Sequence, residues 1–244
     1  MSTQVERVSE ASVLSGSGRP GGRAPTFLGV AWLVLQKDVA IEAKSLEMLT
    51  TTLFFAVSCL LVFSFAFVKE GTPVQDAAAG ILWIAVSFSG TLALGRTFER
   101  ERQGETLRAL LLAPTSRAAV YTGKLLGMLV LMLATEVVLV PLVALLFQAP
   151  LFNRPVLLMA LMLAGTLGFA SVGTLFAAML VRARTRDIML PIVLYPMTIP
   201  VLIAGVQGTS ALVQPTPDEA MATMWIGVVT AFDAVFITGC LWLF

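Results

Sequence analysis

Residues Arg96 to Lys124 read RTFERERQGETLRALLLAPTSRAAVYTGK and form the long charge-dense segment of an otherwise apolar chain. Six of the 16 Lys and Arg residues lie here: Arg96, Arg100, Arg102, Arg108, Arg117 and Lys124. Glu99, Glu101 and Glu105 alternate with the first of them. Phe98 to Arg102 reads as the continuation of the preceding apolar helix into water. Gly104 permits a bend, and Glu105 to Leu112 can form a short helix with Thr106, Leu107, Leu110 and Leu111 on an apolar edge. Ala113-Pro114 ends it, because the residue before a proline is pushed out of the helical region. An amphipathic helix lying across a membrane face suits docking to a cytosolic motor. The plainer reading is a positively charged loop whose charges only set topology.

The flanking sequence puts this segment in a membrane protein. The 244 residues are 57% hydrophobic and 13% charged, against about 45–50% and about 25% in soluble domains. Six apolar runs follow one another: Leu49–Val68, Ala77–Gly95, Leu125–Phe147, Val156–Val181, Ile188–Val206 and Met224–Phe244. Each is near the roughly 20 residues that cross about 30 Å of hydrocarbon. Without water in that layer each must satisfy its own backbone as a helix. Segments 1–48, 96–124 and 182–187 hold five, six and three basic residues, whereas 69–76, 148–155 and 207–223 hold one, one and none. Fourteen against two puts the first set, with both termini, on the cytoplasmic side.

Residues 1–25 contain SGSGRPGGRAP and offer no apolar face, which predicts a disordered cytoplasmic tail before a membrane domain spanning 26–244. No signal-peptide pattern opens the chain. Between tail and first span, Trp32, Leu35, Val39, Ala43 and Leu46 recur at helical spacing. Gln36, Lys37, Asp38, Glu42, Lys44, Ser45 and Glu47 cover much of the remainder, and Ile41 interrupts them. This predicts an interfacial helix with its charges in water; the alternative is a cytosolic extension of the first span.

Within the spans, Glu136 and Asp233 are acids near mid-membrane, where a charge costs about 2.5–3.5 kcal/mol on insertion scales. Each is either part of a substrate or proton path, or an acid hydrogen-bonded to Ser or Thr on a neighbouring helix. Pro191, Pro196 and Pro200 predict a kinked or broken fifth span. Ala160, Ala164 and Gly168 form a small-residue ridge for close packing, within the chain or across a dimer.

The chain has no histidine and two cysteines, Cys59 and Cys240, in separate apolar runs. No disulfide framework or metal site is expected. Gly123-Lys124 is followed by Leu125, so there is no nucleotide-binding loop. HExxH and GxSxG are also missing. The chain is therefore not expected to be an enzyme.

FERERQGETLRALLLAPTSRAAVYTGKLLG resembles the first cytoplasmic loop of ABC-2-type permeases. Together with QKDVAIEAKSLEMLTTTLFFAVSCLLVFSFAF and YPMTIPVLIAG, it is similar to the CcmB, or haem exporter B, family of cytochrome c maturation. The resemblance spans Phe27 to Phe244. It implies an all-α polytopic ABC-2-type permease with six transmembrane helices, an N-terminal connecting helix over Trp32–Glu47 and a coupling helix within Glu99–Leu112. It also implies two copies working with two CcmA-like ATPase subunits in the bacterial inner membrane. CcmC- and CcmD-like membrane proteins and a CcmE-like haem chaperone complete the implied set. ATP would then act only through the partner subunit, and haem would be a transported or handled ligand rather than a covalent cofactor. Two rivals stand beside this reading: a stand-alone ion-coupled transporter using Glu136, and a structural scaffold subunit.

Overall fold

The computed structural model describes residues 26–69, 72–103, 116–181, 183 and 185–243. The tail 1–25 and the segment 104–115 lie outside them. Seven helices account for most of the described residues: α1 (Phe27–Ser45), α2 (Glu47–Ala66), α3 (Ala78–Gln103), α4 (Arg117–Phe147), α5 (Pro155–Leu180), α6 (Arg186–Val213) and α7 (Glu219–Leu243). Six of them, α2 to α7, are long and apolar enough to cross a membrane. A two-residue strand pair, Val68–Lys69 with Thr72–Pro73, closes the turn region between α2 and α3.

The helix ends follow local chemistry. Thr26 caps α1, its hydroxyl oxygen accepting the Gly29 N–H at 3.3 Å. Ser116 caps α4 in the same way through Ala119 N–H, also at 3.3 Å. Both are hydroxyl side chains where the first helical N–H groups lack partners. Leu46 separates α1 from α2 with a left-handed backbone, φ 51°. That break makes α1 an element of its own rather than an extension of the first span. At 31 residues, α4 is about 46 Å long at 1.5 Å per residue, more than the hydrocarbon needs. Its first turns and the last turns of α3 therefore lead the chain out of the membrane on either side of segment 104–115.

The centre of the bundle is α3 against α5 and α6. The Trp83 ring of α3 is inserted where α5 and α6 have glycine. A Cβ on Gly165 would come within 2.1 Å of this ring, and one on Gly205 within 2.5 Å. The indole N–H donates to Thr209 Oγ1 at 3.0 Å, so the buried polar edge is satisfied. Gly173 receives Leu94 of α3 in the same manner. On its other side α5 turns Ala164 and Gly168 toward α6 and α7, where they meet Val201 and the α7 residues Val229 and Asp233. Ala164 and Gly168 of the small-residue ridge thus pack within this chain.

The fifth span departs from one of the two forms expected for it. It is unbroken from Arg186 to Val213 through Pro191, Pro196 and Pro200. Each proline removes one backbone donor, but in hydrocarbon no water competes for the carbonyls, and neighbouring groups can take over. The carbonyls that lose a donor are those of Asp187, Ile192 and Pro196; the Thr198 hydroxyl folds back onto the adjacent carbonyls of Leu194 and Tyr195 at 3.0 and 3.3 Å.

Candidate functional site

A group of charged residues collects at one end of the bundle, where α1 meets the beginnings of α2 and α4 and the end of α3. Helix α1 runs alongside the start of α4. Val30 packs with Ala119 and Val120, and a Cβ on Gly123 would meet the Ala31 carbonyl oxygen and the Val34 side chain, each at 2.7 Å. One helical turn further, Asp38 accepts a hydrogen bond from Lys124 Nζ at 2.6 Å. Lys124 is 5% exposed, so this pair is desolvated and close. Lys37 joins it at 3.2 Å.

A second charged group ties α1 to α3. Arg100 lies 3.8 Å from Glu42 and 3.6 Å from Glu47. These contacts are longer and wetter than Asp38–Lys124. Exposed pairs of this kind contribute about 0–1 kcal/mol, so the Asp38–Lys124 pair dominates. Glu42 has a further task. Leu46 has no side-chain oxygen with which to cap α2, and Glu42 Oε1 takes the Leu49 N–H instead, at 2.7 Å. Arg96 and Thr97 extend the belt through Thr51 Oγ1 (3.4 Å) and Met48 Sδ (3.5 Å).

This geometry corrects the reading of α1. It was expected to lie in the membrane interface with its charges in water. Val30, Ala31 and Val34 are buried while Leu28 and Trp32 are 76% and 63% exposed, but not all the charges stay in water. Asp38 and Glu42 turn inward to reach Lys124, Arg100 and the α2 backbone. The stripe of Trp32 and Val39 is left facing outward, as a helix against lipid requires. Periodicity identified the outward apolar stripe; the inward turn of Asp38 and Glu42 depends on partners in other helices and has no local signal.

Of the residues assigned to motor coupling, Glu99 and Arg100 are half-buried in the last turns of α3. Arg100 points to α1 and α2. Glu101 and Arg102 belong to the same helix. Gly104, Glu105, Thr106, Leu107, Leu110 and Leu111 lie outside the described residues. Asp38, Glu42 and Lys124 were not singled out from sequence as a group; Asp38 is 86 residues from its partner in α4, and nothing local announces such a pairing.

The two intramembrane acids sit on either side of α5. Glu136 of α4 accepts from the Thr166 hydroxyl, the arrangement anticipated for a structural acid. Its Oε2 is buried with no hydrogen-bond partner among the described residues. Asp233 of α7 fills the space at Gly168, and its Oδ1 is likewise buried without such a partner. The hydroxyl partner offered for either acid is found at Glu136, and none is found at Asp233 among the described residues.

Comparison with known proteins then decides the family. The model of the CcmB protein family matches residues 29–240. The chain belongs to the CcmB family. It is also 28% identical over 199 residues to heme exporter protein B of Pseudomonas aeruginosa, covering 82% of this chain and 88% of that one. With heme exporter protein B of Rhodobacter capsulatus it shares 29% identity over 182 residues, 75% of this chain and 83% of the other. The heme exporter protein B of Paracoccus denitrificans is 29% identical over 154 residues, 63% and 70% of the two chains. The CcmB match begins two residues into α1 and ends within α7, so α1 and its ion-paired junction belong to the matched region.

Proposed function

We propose that this chain is the membrane-spanning permease subunit of an ABC-type haem export system in cytochrome c maturation, seated in the bacterial inner membrane with both termini cytoplasmic. The observation that carries the proposal is the CcmB family match over residues 29–240. The junction geometry supports the mechanism. Segment 104–115 joins α3 to α4, and both helices are held to α1 at their charged ends: α4 through Asp38–Lys124 and α3 through Arg100 with Glu42. A push delivered to that segment by a CcmA-like ATPase would therefore move α3, α4 and α1 together. Helix α1 turns into α2 at Leu46, so the motion enters a third span as well.

In this reading ATP is bound and hydrolysed only by the partner. Glu99 to Leu112 seats on it, and two copies of this chain pair with two ATPase subunits. CcmC- and CcmD-like proteins and a CcmE-like chaperone complete the system. Haem is its cargo or handled ligand. Tagged purification from native membranes tests the assembly: a cytosolic ATPase and haem-maturation proteins should be recovered together. Recovery of an ATPase with unrelated partners would discard the haem assignment, and recovery of no ATPase would discard the ABC reading.

A second reading has one observation in its favour, the unpartnered Oε2 of Glu136. An ion-coupled carrier would bind its ion there and need no ATPase. Glu136→Gln separates the two. Gln keeps the oxygen that accepts from Thr166 but cannot exchange a proton. The ABC reading expects ATP-dependent chaperone turnover within about twofold of wild type in membranes, whereas an ion carrier would lose transport. Glu136→Leu, which strands the Thr166 hydroxyl, is expected to lose about 1–3 kcal/mol of stability in either case.

A further inference from the structure

Between α1 and the charged ends of α2, α3 and α4 lies a cleft of about 250 Å³. Its walls have two characters. Met48, Met128 and Leu131 form a buried apolar side, and Val39, Ile41, Leu46 and Val130 form an exposed apolar margin. Lys37, Asp38, Glu42, Arg100 and Lys124 line the rest. A margin of this kind at membrane level meets acyl chains, so whatever enters comes from the bilayer and carries a polar end into the charged part.

The charges differ in how well they are matched. Asp38 is taken by Lys124 and Lys37 at 2.6 and 3.2 Å. Glu42 is held in place by the Leu49 N–H on Oε1, at 2.7 Å, while its Oε2 is buried with no hydrogen-bond partner among the described residues. Arg100 stops 3.8 Å from that oxygen and 3.6 Å from Glu47, beyond hydrogen-bond reach of both. A guanidinium offers a fork of N–H donors suited to phosphate. One wall thus holds a fixed, unsatisfied acceptor, closed to water in this conformation, beside a donor fork.

We propose that this cleft holds one phospholipid with a primary-ammonium head group, its phosphate on Arg100, its ammonium on Glu42 Oε2 and one acyl chain against Met48, Met128 and Leu131. The pairing of one acid with one base matches a zwitterion. A trimethylammonium head group has no N–H to give Glu42. Haem would bring two carboxylates to a wall where Lys37 and Lys124 are already matched by Asp38, leaving Arg100 to face them beside Glu42. The volume is also below the about 300–1,000 Å³ of sites that enclose a whole ligand, which suits a head group and the start of a chain. The proposal requires only that the chain be embedded in a bilayer, so it stands or falls separately from haem export.

Native mass spectrometry of the full-length chain, delipidated in mild detergent and titrated with phosphatidylethanolamine, phosphatidylcholine or phosphatidylglycerol of matched chains, tests it. One phosphatidylethanolamine should be retained with about tenfold preference over phosphatidylcholine, the order of one charge-assisted hydrogen bond. Glu42→Gln keeps an oxygen for Leu49 and should bring the two lipids to parity at unchanged Tm. Arg100→Gln should weaken both. Equal retention of the two lipids by the unsubstituted chain, a preference surviving Glu42→Gln, preferential binding of phosphatidylglycerol, or displacement of lipid by added haem would each overturn the proposal. The comparison on the unsubstituted chain decides even if a variant fails to fold.

Discussion

Gly165→Leu is expected to abolish accumulation of folded protein in the membrane. A Cβ at this position would already stand 2.1 Å from Trp83 Cη2 and 2.7 Å from Cζ3, separations no pair of carbons sustains. The ring cannot retreat, because Trp83 is 1% exposed and its opposite flank rests on Gly205. Leucine adds three further carbons to that clash. In helix propensity alone, replacing glycine gains about 1 kcal/mol. Overpacking of a filled core costs typically about 1–3 kcal/mol and more where nothing can yield, so packing decides the sign. Gly165→Ala should lower Tm markedly, and Trp83→Phe in the same chain should recover part of the loss. Gly227→Ala supplies the contrast: nothing lies within 4 Å of its would-be Cβ, and Tm should hold or rise. A stable, monodisperse Gly165→Leu protein by size-exclusion chromatography would show that α3, α5 and α6 do not meet around this ring.

Lys124→Met should be the next most damaging change. It leaves Asp38 facing an apolar wall without its 2.6 Å partner. Removing one member of a buried pair costs about 3–5 kcal/mol, whereas replacing both members is often neutral or better. Lys37, at 3.2 Å, can recover some of the lost charge compensation, so the lower end of that range is the expected value. The informative variant is Lys124→Met with Asp38→Leu. Its stability should return close to that of the unsubstituted chain, while coupling to the motor should not. If stability is measured as detergent Tm and coupling as ATP-dependent turnover in membranes, the two readouts separate. Recovery of both together would mean that the charge pair only holds α1 in place.

The six spans were legible because the membrane imposes a length and a composition that a sequence cannot hide. Their ends were less so. The continuation of the second run past Gly95 was read from Phe98 to Arg102, and α3 does run to Gln103, but the third run was taken to begin at Leu125, whereas α4 starts at Arg117. Hydrogen bonding within a helix does not stop where hydrocarbon does. Trp83 carried no signal, since an aromatic residue within an apolar run looks like any other; its significance lies in glycines 82 and 122 residues away. Of the small residues in α5, Ala164 and Gly168 were read from their spacing, but Gly165 and Gly173, which face α3, fell outside that ridge. The Asp38–Lys124 pair was invisible for the same reason as Trp83. Its members are acid and base in two segments that read separately as an interfacial helix and a topogenic loop. Glu136 and Asp233 were legible as unusual, and their partners were not.

The most direct test of the permease account is the double substitution Leu107→Asp with Leu110→Asp in the segment that joins α3 to α4. Basal ATP hydrolysis by the partner ATPase and haem-chaperone turnover would be measured in the same membranes. The account predicts that ATP hydrolysis persists while chaperone turnover falls at least about tenfold, a loss of roughly 1.4 kcal/mol in coupling. Chaperone turnover at the unsubstituted rate, with the double variant present at normal abundance, would contradict it.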